Sequence, residues 1–212
     1  MQVRNIVFAS TVLTIVHSGY CNFVETEVPT WRGEVGSSYY GWETFTQAYN
    51  APNMNESGTP GGMLFNFAEG AFITSTGNIY NQSGGLNVHV YGYSALEQAV
   101  LNISTQGSEF DYAAVFLWVG DGVDGMMFSA DDWAINYYEP IEGLGAIVNA
   151  SFTWDTSSYE GAITEWAFMF NGTSPHNVLD AVSVDVFTGA VPGAGALFAF
   201  GFCGLRSRRR QN

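Results

Sequence analysis

Lysine is missing from this chain, and positive charge is scarce. All six basic residues are arginines, and four of them, Arg206, Arg208, Arg209 and Arg210, stand at the extreme C-terminus. Between residues 22 and 190 only Arg32 opposes twenty Asp and Glu side chains. A surface of that sign repels nucleic acid and anionic membranes, so neither is expected as a partner. It suits a salty medium that shortens the screening length to below about 10 Å, and it leaves cation binding open. Cysteine is also nearly absent. Cys21 and Cys203 are the only two, each at or inside a terminal apolar segment, so the central domain is expected to hold no disulfide even in an oxidising compartment. The motifs of common catalysts are lacking too. There is no Gly-x-Ser-x-Gly elbow, no His-Glu-x-x-His pair and no phosphate loop. Of three histidines, His17 lies in the N-terminal apolar segment, His89 in a strand pattern and His176 in a turn. No catalytic residue is assigned, and the chain is not expected to be an enzyme.

What is present begins with the two ends. Arg4 precedes an apolar run from Ile6 to Val16, followed by His17-Ser18-Gly19. These are the proportions of a secretory signal, too short for the roughly 20 residues of a transmembrane helix. Residues 1–21 are therefore read as a signal peptide, residues 22–190 as one acidic domain, and residues 191–212 as a sorting or anchoring segment. In the last, Val191-Pro192-Gly193 leads into an apolar Gly/Ala/Phe stretch and the terminal arginines. Such arginines can snorkel to the bilayer surface and halt translocation with the positive end inside.

This tail resembles the PEP-CTERM sorting signal of exported bacterial proteins. The resemblance rests on Val191, Pro192 and Gly193, the apolar segment, and Arg206, Arg208, Arg209 and Arg210. It departs from the family pattern at Gly193 and Ala194, where a Glu and a second Pro are missing, and looks more like the Gly-Ala-Leu tails of planctomycete-type bacteria. The resemblance implies a C-terminal hydrophobic sorting helix, passage through the export machinery, processing by an exosortase-type protease, and a location in the cell envelope, membrane-anchored or released to the surface or matrix. The body resembles exported planctomycete-type proteins of unknown activity through Trp31-Arg32-Gly33, Gly77–Tyr80, Thr105–Tyr112, Thr153-Trp154-Asp155 and Leu179–Asp185. That likeness implies a β-sandwich and no known reaction.

The body itself reads as all-β. Residues 24–62 look loop-rich, with Trp31, Tyr39, Tyr40, Trp42 and Phe45 covering one end of a core. Strand patterns follow at Met63–Phe67, Ala71–Thr74, Asn78–Tyr80, Leu86–Val90, Ala99–Ile103, Tyr112–Val119, Trp133–Tyr138, Ala146–Trp154, Glu165–Phe170 and Asn177–Phe187. The parity of the last strand points Asp180 inward. Only a short helical turn, near Ser94–Gln98 or Ala130–Ala134, interrupts them. About ten short strands with Gly/Asn turns predict an antiparallel β-sandwich, jelly-roll-like.

Two patterns are candidate sites. Gly120-Asp121-Gly122-Val123-Asp124-Gly125, with Asp131 and Asp132, offers hard oxygen ligands to calcium, although the spacing is not that of an EF-hand and a plain hairpin turn is the alternative. Calcium is the one cofactor left open. Aromatics exceed what one core needs, among them Tyr91, Tyr93, Trp118, Trp133, Tyr137, Tyr138, Tyr159 and Trp166; Trp118, Trp133 and Tyr137 are the candidates for stacking on a ligand. The expected function is therefore a non-enzymatic surface or extracellular-matrix protein. The alternatives are a carbohydrate-binding sandwich that meets extracellular polysaccharide, with or without calcium, and a polysaccharide-active enzyme, which needs two carboxylates about 5–10 Å apart in a cleft.

Overall fold

A computed structural model describes residues 23–189. The signal segment, the sorting helix and the tail residues Val191 to Arg210 lie outside the described residues.

The chain forms two antiparallel sheets. The larger contains β1 (Ser37–Trp42), β3 (Ser57–Gly58), β8 (Gln98–Gly107), β11 (Asp132–Ile141), β12 (Gly145–Asp155) and β14 (Asn177–Phe187), in the order β11-β12-β8-β14-β1-β3. The short pair β5 (Ala71–Ile73) and β6 (Ile79–Asn81) joins it through β14. The smaller contains β2 (Asn53–Met54), β4 (Met63–Asn66), β7 (Asn87–Gly92), β9 (Phe116–Gly120), β10 (Gly125–Ser129) and β13 (Glu165–Asn171), in the order β10-β9-β13-β7-β4-β2.

Period-two alternation decides the packing. Leu101 and Ile103 of β8, Phe152 and Trp154 of β12, and Val182, Val184 and Val186 of β14 point into one buried cluster. They meet Val88 and Val90 of β7, Leu117 and Val119 of β9, and Trp166, Phe168 and Phe170 of β13. The ring centroids of Trp154 and Phe168 stand 5.0 Å apart across the sheets. Each such side chain contributes roughly 1.5–3 kcal/mol by leaving water. The expected β-sandwich is thus present.

Several local expectations change. Ser37–Trp42, read as loop, is β1; Tyr40 and Trp42 fill the core beside Phe45, and Trp31 packs on Phe187 instead. Gly125–Ser129 is also a strand. No helical turn forms at Ser94–Gln98 or Ala130–Ala134. The apolar run Tyr112–Val119 is not one strand, because Asp111 accepts a bond from the Ala113 N–H at 3.2 Å and nucleates a short 3-10 turn, Tyr112–Ala114, before β9 begins. Asp180 does not face the core. A bulge between Leu179 and Ala181 shifts the parity of β14, and Asp180 lies on the outer side, accepting bonds from Asn78 at 2.7 Å, Gln106 at 3.0 Å and Ser104 at 3.1 Å.

The outer face of the larger sheet is covered. Residues 23–32 cross it, held by side chains rather than by strand pairing. The Val24 and Glu25 N–H groups donate to Asn149 Oδ1 at 2.9 and 3.1 Å. Asn102 exchanges two bonds with Glu27, at 2.8 and 3.0 Å. Arg32 then grips Asp185 through both carboxylate oxygens, each at 2.5 Å. Asn102, Asn149 and Asp185 are consequently buried although they point away from the core.

Candidate ligand-binding face

The outer face of the smaller sheet contrasts with this in every respect. Its core-facing residues fix which side chains turn outward: Met127 and Ser129 on β10, Phe116 and Trp118 on β9, Ala167 and Met169 on β13, His89 and Tyr91 on β7, and Met63 and Phe65 on β4. The register sets Met127, Trp118, Ala167, Tyr91 and Met63 in one row, and Ser129, Phe116, Met169, His89 and Phe65 in the next. Among these described strand positions no Asp, Glu or Arg occurs until Glu165, at the rim, opposite Gly120. Most of these rings and methionines remain in partial contact with water, and Met127 is 52% exposed. The patch is apolar and, up to Glu165 at its rim, without acidic strand residues, on a chain that is otherwise strongly acidic.

The rings hold one another in place. Phe65 and Phe67 lie parallel with centroids 5.6 Å apart; Tyr91 meets Phe65 edge-on at 5.7 Å, and His89 meets Phe67 at 4.9 Å. His89 lies between Asn87 Oδ1, 3.0 Å from Nε2, and the Tyr91 hydroxyl, 3.1 Å from Nδ1. Burial pushes the His89 pKa below its usual value, which favours the neutral imidazole. Burial, and after it the neighbouring Tyr93 phenol, raises the pKa of Tyr91.

Trp118 is seated on two paired glycines. A Cβ at Gly125 would fall 2.4 Å from its Cζ2, and one at Gly120 would fall 2.7 Å from the same atom. The indole therefore occupies the space that two side chains would fill, and it lies across the β9–β10 pair.

The other predicted stacking residues stand elsewhere. Trp133 is on β11, at the edge of the larger sheet, 47% exposed and stacked on Phe152 at 6.2 Å and Tyr112 at 6.0 Å. Tyr137, past the bulge in β11, pairs with Asn149 on the covered side and donates its hydroxyl to Glu139 at 2.5 Å. Trp118, Trp133 and Tyr137 do not share a platform. Trp166 is in the core, donating to Ser94 at 3.0 Å. The residues that join Trp118 on its face, Phe65, Phe116 and Met169, were not singled out from sequence; they become visible only when five strands are set in register.

The predicted calcium ligands fall into two places. Asp121 caps its own hairpin turn, accepting from the Val123 and Asp124 N–H groups at 2.9 Å each, which holds its pKa below the usual value. Asp131 accepts from the Asp155 N–H at 2.7 Å, and Asp132 from the Trp133 N–H at 2.8 Å. Among the described residues no group of three or more His, Cys, Asp or Glu is placed to share a metal ion. Thermal unfolding in millimolar calcium and in a chelator tests whether the domain holds an ion. A calcium-dependent rise in the midpoint is what mass action demands of any ion bound only by the folded state, and an unchanged midpoint removes calcium from the account.

The remaining histidine, His176, has a positive φ of 64° and lies with Nδ1 2.6 Å from the Tyr80 hydroxyl on the exposed side of β6. No family model, no curated protein and no solved structure matches this chain.

Proposed function

We propose that this chain is an exported, non-enzymatic surface or matrix protein whose sandwich domain acts by contact rather than by turnover. The observation that carries the contact reading is the division of the two outer faces. One is covered by residues 23–32 and their hydrogen bonds, and the other is open and aromatic, with Glu165 at its rim as the one acidic residue among its outward strand positions. Export rests on the terminal segments. Arg4 and the run Ile6–Val16 serve as the signal, and the Val191-Pro192-Gly193 segment with its four arginines holds the chain at the envelope. The export machinery and an exosortase-type protease are the partners this reading requires.

The topology supports a jelly roll. The strand sets β1-β14-β8-β12 and β7-β13-β9-β10 face each other, and the chain passes between sheets at every step except the β5–β6 hairpin, the β9–β10 hairpin and the inserted pairing of β11 with β12. Carbohydrate binding is the second reading, favoured by neutral hydrogen-bonding groups among the rings, the His89 imidazole and the Tyr91 hydroxyl.

Fractionation of cells that produce the full chain tests the first reading. The chain is expected in the envelope and open to protease added outside intact cells. Removal of residues 191–212 is expected to release it, and removal of residues 1–21 to trap it in the cytosol. Recovery of the uncut full chain as a soluble cytosolic protein would sink the proposal.

A further inference from the structure

We infer that the open face of the smaller sheet is a binding site for neutral polysaccharide, centred on Trp118 and flanked by Tyr91, Tyr93 and Glu165. This rests on the reading of that face as the working surface. Trp118 and Tyr91 are outward neighbours across Ala167, whose small side chain is 5% exposed and separates the two rings by one strand. Tyr93 continues the outward parity of β7, is 65% exposed, and lies near enough to Tyr91 to raise its pKa. Glu165 sits opposite Gly120, two residues from Trp118, with its carboxylate close to Gly122.

The chemistry of this arrangement matches a pyranose. The C–H face of a sugar ring carries partial positive charge and meets the negative face of an aromatic ring, while its hydroxyls take bonds from the rim. Here the rim supplies an acceptor carboxylate at Glu165 and phenols at Tyr91 and Tyr93. The indole is anchored by the Gly120–Gly125 pair, so little side-chain freedom is lost when a ligand stacks on it.

Charge selects among occupants. Twenty carboxylates against Arg32 in the central domain repel a polyuronate, a nucleic acid or an anionic lipid surface. A second copy carries the same charge and is opposed by it. A neutral glycan meets no such barrier and loses no ionic hydration on binding.

The test is affinity electrophoresis and titration of the full chain, in mild detergent, against soluble neutral glucans, xylans and mannans and against a polyuronate. At least one neutral polymer is expected to bind and the polyuronate is not. Trp118→Ala and Tyr93→Ala are expected to weaken binding by about tenfold or more each. Gly125→Ala, which drives a methyl group into the indole, is expected to do the same while every ring remains in the chain. Tyr93 is so exposed that its loss leaves the fold intact, which covers the case in which Trp118→Ala misfolds. Binding to none of the neutral polymers, equal binding to the polyuronate, or unchanged affinity in all three variants overturns the proposal. If these variants abolish attachment of the protein to cells or matrix while no glycan binds, the glycan assignment falls and the contact reading of the face survives.

Discussion

Replacing Arg32 by methionine is expected to lower the stability of the domain by about 3–5 kcal/mol at pH 8, the usual cost of leaving one member of a buried ion pair behind. Asp185 is fully buried, and its carboxylate is held by both arms of the Arg32 guanidinium. The pair is bidentate, and the guanidinium also lies 4.5 Å above the centroid of the Tyr39 ring. Arg32 is the only arginine of the described domain, so no second cation can take its place. Arg32→Lys keeps the charge and loses the fork, and is expected to recover only part of the difference. Replacing both residues by apolar ones of similar size is expected to cost much less than removing Arg32 alone.

The pH dependence separates this cause from simple loss of packing. Burial pushes the Asp185 pKa above the usual carboxylate value, against the opposing pull of Arg32. The folded state therefore holds this proton more tightly than the unfolded chain does. The contribution of Asp185 is fully favourable below the unfolded value and is lost as pH rises through the raised folded value. Without Arg32 the folded value rises further. The deficit of Arg32→Met is then expected to be largest at pH 8 and to shrink toward pH 5 as the orphaned carboxylate takes up a proton. Urea unfolding at the two pH values measures it. A deficit that is the same at both, or absent at pH 8, would remove the buried pair from the account of how residues 23–32 are held.

The cover over the larger sheet shows where sequence reading reaches its limit. Leu86–Val90 announces a strand by strict alternation and Ala99–Ile103 by a similar pattern that Val100 breaks, and the sandwich follows from counting such segments. The same alternation assigns Asn102, Asn149, Ser183 and Asp185 to a solvated face, because polar outward residues are what solvent selects. They are buried because a distant segment with no strand pattern lies on them, and a polar side chain does not announce whether its partner is water or a backbone N–H. The bulge at Leu179–Ala181 is equally silent, and one extra residue was enough to place Asp180 on the wrong side. Ser37–Trp42 reads as loop because Gly41 interrupts a short aromatic run, although Tyr40 and Trp42 keep one parity. The surplus of aromatic residues was legible as a surplus. Its location was not, since the open face joins β10, β9, β13, β7 and β4, which are neighbours in space and mostly not in sequence. Trp133 and Tyr137 looked equivalent to Trp118 until the register put them on another sheet.

Alternation along β13 supplies the sharpest separation of fold from function. Phe168→Ala is expected to destabilise the domain by about 3–5 kcal/mol, whereas Met169→Ala, one residue on, is expected to cost less than about 1 kcal/mol. Phe168 has no contact with water and lies between Trp154 of the opposite sheet, at 5.0 Å, and Trp166, at 5.3 Å. Removing its ring opens a cavity that two rigid indoles cannot collapse to fill. Met169 faces outward between Phe116 and His89, where water can replace the lost side chain. Thermal or urea unfolding of the two variants decides the matter, and equal losses would mean that the face of the smaller sheet is sealed in the folded protein. If the difference is found, the side chains of that face contribute little to folding. Their apolar and aromatic character, on a chain that places acid almost everywhere else, is then explained by what the face touches and not by what it holds together.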